Sequence, residues 1–330
     1  MYRTGIACIT CASSLAVLLA VPAVSAESFP ERPIRMIVPF APGGGTDINA
    51  RILADPLSKV LGQTVVVDNR PGAGSIIGTD LAAKATPDGY TILLGTSSLA
   101  VNYAVYKRLP YDARRDFSPI SQVSDQPNMM VVNPSLPANS LKELISLVQS
   151  QPGKFTFGSP GTGTATHLAS VLLISRFNGE MIHVPYKGTG PALTALISGE
   201  ISVYLSTFAS ALPHVKNGRL RALAVTGAKR SGPLPDVPTV SQAGVPGYVH
   251  LTWYGMLAPR GTPPAVVAKL NKAVVGVLKS DQVSKLYDAQ GLNPVPTTPA
   301  EFAKKIDEES RKWVEVVRAN KIPRRSLGGF

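Results

Sequence analysis

The feature that most constrains this chain is an order of segments that occurs twice. A short apolar run leads into a glycine-rich loop, and the loop leads into a segment with helical spacing. The first loop is PFAPGGGTD at 39–47 and the second is GSPGTGT at 158–164. Residues 34–40 form the apolar run before the first loop; across 47–61, Ile48, Ile52, Leu57, Val60 and Leu61 recur at helical spacing. Gly62 ends that helix. Residues 64–67 (TVVV) read as a second strand, 76–85 as a second helix and 90–94 as a third strand, with turns at 69–72 and 87–89. Strands alternating with short helices specify βαβ units and a largely parallel sheet.

A second series opens at 129–132 (MMVV). Ser140 and Glu143 form a capping box for a helix that runs through Val148. Residues 154–158 read as a strand, 165–175 as a helix, 182–184 as a strand, 192–198 as a helix, and 201–205 and 220–225 as strands. A Gly/Pro-rich connector covers 227–248, followed by a strand at 251–258 (LTWYGMLA). Two amphipathic helices close the chain. One opens at Thr262-Pro263, and the other opens at Thr298 with Phe302, Ile306, Trp313 and Val317 inward.

Each glycine loop aims free backbone N–H groups and the positive end of a helix dipole at one spot, where an anion is favoured. Thr46, Ser159, Thr162 and Thr164 add hydroxyl donors. A Walker loop would end in Gly-Lys-Ser/Thr, and neither loop has that lysine; Gly-x-Gly-x-x-Gly is also missing. A nucleophile elbow needs glycine at 157, which is Phe157. The matched pair favours capture of a carboxylate by backbone dipoles, and the reading implies no cofactor. Thr96, Ser97 and Ser98 form a hydroxyl cluster past the third strand, at the strand end where α/β sheets bind ligands. Asp47, in a first helical turn, reads as a cap or dipole partner ahead of a catalytic acid. His167 either faces the cleft or is a supporting group behind it or a surface group. Lys187 either neutralises a second carboxylate or is solvated.

Composition narrows the setting. Arg3, the apolar run 15–24 and the small residues Val24 and Ala26 read as a signal peptide, residues 1–26, cleaved after Ala26. Its removal also takes Cys8 and Cys11, so the mature chain offers no disulfide, thiol nucleophile or cysteine metal site. The four histidines (His167, His183, His214 and His250) have no zinc spacing. The remaining 32 basic and 21 acidic side chains give +11, a field that attracts anionic solutes. The charges are scattered without an aromatic-laced stripe, against nucleic-acid binding.

The blocks PFAPGGGTD, NRPGAGSIIGTD, ATPDGYTILLGT, GSPGTGTATHLAS, HVPYKGTGPAL, LPHVKNGRLRALAVTG, PDVPTVSQAG and WYGMLAPRGTP resemble the tripartite tricarboxylate transporter substrate-binding receptors, the Bug-type family, from Pro33 to about Trp313. The resemblance implies an α/β, type II periplasmic-binding-protein fold: two α/β lobes with mostly parallel sheets, joined by crossing strands around a ligand cleft. Residues 27–126 and 250–330 would form one lobe and 127–249 the other. The first loop (Phe40, Ala41, Pro42, Gly43, Gly44, Gly45, Thr46, Asp47) and the second (Ser159, Gly161, Thr162, Gly163, Thr164, with His167 one turn on) match loops that hold the ligand's carboxylate in the family. Thr96, Ser97, Ser98, Asn102, Tyr186, Lys187, Ser206, Thr207 and Phe208 match positions that line the cleft.

The implied partners are a small organic carboxylate and the membrane permease subunits that receive it, with the receptor monomeric and periplasmic. A sensor-kinase receptor of the same fold and an exported hydrolase are the alternatives. Two departures from the family stand out. Val171 replaces its usual glutamate, and Thr207 stands where many members carry Asp or Asn. Loss of both acidic options argues against an amino-acid ligand and for a mono- or dicarboxylate. Phe40, Tyr186 and Phe208 leave an aromatic acid open.

Overall fold

The computed structural model describes residues 29–327, so the export signal read in residues 1–26 lies outside them. The first series comprises β1 (Ile34–Val38), α1 (Gly45–Leu61), β2 (Val65–Asn69), α2 (Ile76–Ala83), β3 (Thr91–Thr96) and α3 (Ser98–Val105). β1 lies between β2 and β3 and pairs in parallel with both. Its side chains alternate faces: Ile34, Met36 and Val38 pack toward α1, whereas Ile37 packs on the other side with Leu93 and Leu99. Both faces being covered explains why IRMIV is apolar at every position except Arg35.

β4 (Phe117–Val132) then carries the chain into the second series: α4 (Leu141–Ser150), β5 (Thr156–Ser159), α5 (Ala165–Arg176), β6 (Ile182–Pro185), α6 (Thr189–Ile197), β7 (Val203–Thr207), α7 (Phe208–Lys216) and β8 (Arg221–Val225). The chain returns through β9 (Leu251–Pro259) and closes with α8 (Pro264–Leu278), α9 (Asp281–Gln290), the short β10 (Asn293–Pro294) and α10 (Pro299–Ala319). The sheet order is β2-β1-β3-β9-β4-β7-β5-β6, with β8 and β10 also on β4. β5 pairs in parallel with β6 and β7. Every antiparallel pair involves β4 or β9, the strands that cross between the two halves.

β4 belongs to both lobes. Residues up to Pro127 pair with β9, and from Asn128 onward the partners are β7 and β8. At the switch, the Asn128 N–H donates to Thr226 Oγ1 (2.8 Å), which donates to the His250 carbonyl (2.6 Å), while Thr252 Oγ1 donates to Asn128 Oδ1 (2.9 Å). These bonds clip the outgoing and returning strands together where the lobes meet. Each lobe has apolar clusters on both faces of its sheet.

Three elements depart from the sequence reading. β4 begins at Phe117 rather than near Met129, because FSPISQVSDQP has no apolar run and holds two prolines; the β4–β9 register slips beside Pro119. α7 was hidden by Pro213 within its last turn. α9 makes a third C-terminal helix between the two expected ones, and its periodicity is faint because Val283 and Tyr287 alone are buried.

Candidate functional site

The two series face each other with the C-terminal ends of their parallel strands, the edge where α/β sheets receive ligands. Between them lies a narrow void. Phe40, Gly44, Gly45, Thr46, Thr96 and Ser98 line it from the first series, and Pro160, Thr166, Thr189 and Thr207 from the second. Thr252 and Tyr254 of β9 complete the lining. Every lining residue before β9, apart from Phe40 and Pro160, lies within two residues of a helix start: α1 at Gly45, α3 at Ser98, α5 at Ala165, α6 at Thr189 and α7 at Phe208. Five positive helix ends therefore converge on one small space, and no lining residue carries a charge. Such a site takes an anion by dipoles and neutral donors.

The lobes are closed over it. Ala41 N–H donates to the Lys187 carbonyl (3.3 Å), Ala165 N–H to Ser98 Oγ (3.2 Å), Tyr106 OH to the Thr162 carbonyl (3.0 Å) and Ala209 N–H to Gln126 Oε1 (2.9 Å). A Cβ on Gly161 would meet Gly74 Cα at 2.9 Å, and one on Gly163 the Tyr106 ring at 2.6 Å. The opposing lobe packs against both glycines, and both also hold a positive φ (+139° and +79°) that disfavours a side chain.

Of the sequence-derived candidates, Phe40, Gly44, Gly45, Thr46, Thr96, Ser98 and Thr207 reach the void. Ala41, Pro42 and Gly43 lie on the lobe seam; Cβ atoms on Gly188 and Gly190 would meet Ala41 and Pro42. Asp47 is buried and accepts from Gly43 N–H (3.0 Å), Asn69 Nδ2 (3.0 Å) and Arg51 Nε (3.0 Å). Burial alone would raise its carboxyl, but the Arg51, Gly43 and Asn69 donors outweigh it and hold it below its ordinary value. It anchors the loop as a carboxylate. Asn102 is fully buried behind the cleft, its amide donating to the Gly74 carbonyl (3.2 Å) and Ser75 Oγ (3.3 Å). Ser97 is buried with its hydroxyl unpartnered.

The second loop turns mostly onto itself. Thr164 Oγ1 caps α5 by accepting from His167 N–H (3.3 Å), and Gly163 N–H donates to His167 Nδ1 (3.3 Å). Ser159 Oγ lies 2.7 Å from His183 Nε2 but is fully buried and absent from the void wall. The His167 and His183 rings lie against each other with centroids 4.1 Å apart and planes tilted by 33°. Burial, then the charge of its neighbours, pushes His167 down to about 3; burial and Arg325 push His183 to about 4, so both rings are neutral donors and acceptors. Lys187 is exposed, Tyr186 OH donates to Glu200 (2.8 Å), and Ser206 Oγ donates to the Thr207 carbonyl (3.1 Å). Phe208 is buried in the core of the second lobe, leaving Phe40 as the aromatic ring of the expected three at the void. Val171 packs at the edge of a lobe core.

The sequence reading missed Pro160, Thr166, Thr189, Thr252 and Tyr254. For Thr252 and Tyr254 a signal existed: in LTWYG they fall on one face of the strand and Trp253 on the other.

Fold and site together define a two-lobed solute-binding protein that closes on a small anion-favouring void. The family described as tripartite tricarboxylate transporter family receptor, TctC, matches residues 49–322. The chain is 42% identical over 297 residues to Protein BugT of Bordetella pertussis, spanning 89% of this chain and 91% of that protein. An R. palustris protein solved with adipate superposes with a TM-score of 0.85 at 36% identity, covering 88% of this chain and 97% of that one. MatC from Rhodopseudomonas palustris, solved with bound malate, gives 0.83 at 33% identity, covering 88% and 100%. The chain belongs to the tripartite tricarboxylate transporter receptor family.

Proposed function

We propose that this chain is a periplasmic receptor that captures a small carboxylate between its lobes and hands it to the membrane subunits of a tripartite tricarboxylate-type permease. The carrying observation is the convergence of five helix N-termini on a void without a charged side chain. A carboxylate complements those N–H dipoles, and its capture needs no lysine or arginine. The void is narrow in this closed form, which favours a small acid over a bulky one. Adipate and malate in the two similar structures are of that kind. The site residues proposed on this reading are those at the void, with the second loop acting mainly through the lobe seam. The lobes are proposed as 27–126 with 250–330, and 127–249, the receptor acting as a monomer rather than as an enzyme. Export rests on the signal read in residues 1–26.

Calorimetry and melting curves with succinate, malate, adipate and benzoate test the assignment. At least one acid should bind and raise the melting temperature, while its amide and methyl ester do much less. A response to ATP or zinc with none to any organic acid would overturn the reading.

A further inference from the structure

The hydrogen-bond pattern at the hinge end of the void assigns a donor to the ligand. Gln126, in β4 one residue before the strand changes lobes, accepts the Ala209 N–H at the start of α7 through Oε1 (2.9 Å). A backbone N–H can only donate, so the orientation of this amide is fixed, and its NH₂ must face the other way. There Nε2 donates to the Tyr254 hydroxyl oxygen (2.5 Å). Tyr254 thus accepts from Gln126, and its own proton has to point elsewhere. Among the described residues its hydroxyl makes no other hydrogen bond. Tyr254 is 1% exposed, lines the void, and lies against Gly45 at the start of α1.

We infer that Tyr254 is a specificity-determining residue that offers its hydroxyl proton to an acceptor oxygen of the bound acid, and that Gln126 is the positioning residue that turns the proton toward the void. The inference rests on the carboxylate reading. A donor held this way, beside the N–H groups of α1, accepts a carboxylate or carbonyl oxygen and rejects an ammonium or amide NH₂ at the same place. Because Gln126 is bound to β4 at one end and to α7 of the other lobe at its tip, the proton is aimed when the lobes are shut. Burial raises the Tyr254 phenol, so it remains a protonated donor at any pH the protein meets.

The test is calorimetric titration of succinate, malate and adipate into the unmodified chain, Tyr254→Phe, Gln126→Glu and the double variant. Tyr254→Phe should weaken the acid that binds by tenfold or more, as expected for losing a hydrogen bond to a charged group. In Gln126→Glu, one carboxylate oxygen still accepts from Ala209 while the other accepts the Tyr254 proton, withdrawing it from the ligand. Affinity should fall, and adding Tyr254→Phe should then cost little more. Unchanged binding by Tyr254→Phe would overturn the inference, and fully additive losses would remove Gln126 from it. If Tyr254→Phe fails to fold, proton NMR of the unmodified chain decides: a slowly exchanging tyrosine hydroxyl resonance coupled to ¹³C-labelled carboxylate supports the contact, and its absence in the saturated complex refutes it. Failure of these three acids and of benzoate to bind the unmodified chain would instead remove the carboxylate reading and this inference with it.

Discussion

Gly43, Gly44 and Gly45 are adjacent, yet the structure places a different demand on each. Gly43 has φ +80°, a left-handed backbone that a side chain strains. Gly44 is extended, and a Cβ there would sit 3.4 Å from Thr189 Cβ, a contact that a small shift accommodates. A Cβ on Gly45 would collide with the Tyr254 hydroxyl and lie 2.6 Å from Gln126 Nε2. Gly44→Ala should therefore leave stability within about 0.5 kcal/mol of the parent. Gly45→Ala should cost about 1–3 kcal/mol through overpacking, and it should weaken acid binding by displacing Tyr254. Urea unfolding midpoints and calorimetry would separate the two; equal behaviour would show that the Tyr254 contact does not set the requirement at Gly45. The triplet was legible in the sequence as an anion-facing loop. That a tyrosine hydroxyl fills the place of one missing Cβ was not, because Tyr254 is far along the chain.

At the scale of elements, α5 and β6 are joined by the ring contact of His167 and His183. Burial depresses both, to about 3 and about 4, from an ordinary value of 6.5. The unfolded chain then binds more protons than the folded one between those values, so stability rises with pH across this window. It is fully present above pH 6.5 and is lost as pH falls toward 4. Melting temperature should decline over pH 6.5 to 4.5, above the range in which the depressed carboxyls titrate. His183→Asn should flatten that decline in part, since buried His250 is depressed to about 4 as well. An identical slope in the variant would mean that the pair is protonated in the folded state. The sequence showed four histidines without zinc spacing. It did not show that two of them touch, since β5 and β6 bring them together only when paired in parallel.

For the molecule as a whole, close approach across the seam carries closure. Gly161 lies against Gly74, Gly163 against Tyr106, and Gly188 and Gly190 against the 41–42 segment. A ligand that touches both lobes binds the shut form better and shifts the population toward it. Small-angle scattering should record a smaller radius of gyration on adding a binding acid. At 100 times Kd, the acid should stabilise the chain by about 2.7 kcal/mol. Gly163→Ala places a methyl against Tyr106 across the seam and has φ +79° to overcome. Its scattering change should shrink and its affinity fall, although residue 163 lies outside the void. Full contraction with parental affinity would show that the seam yields without cost.

The sequence by itself determined the alternation of strand and helix, the two glycine loops at helix starts, and the absence of a lysine in either loop. These are local properties: periodicity, capping and backbone freedom are set by residues a few positions apart. From them followed the parallel sheets and the preference for an anion. The tertiary structure decided which loop residues meet the void and which meet the other lobe. It placed Phe208 and Asn102 in buried packing, left Lys187 exposed, and brought Thr252 and Tyr254 of β9 to the floor beside Gly45. The physical reason is that the void exists only where β4 and β9 cross between lobes. The groups lining it come from chain segments about 200 residues apart, whose meeting depends on strand register and lobe closure and leaves no periodic signal in the sequence.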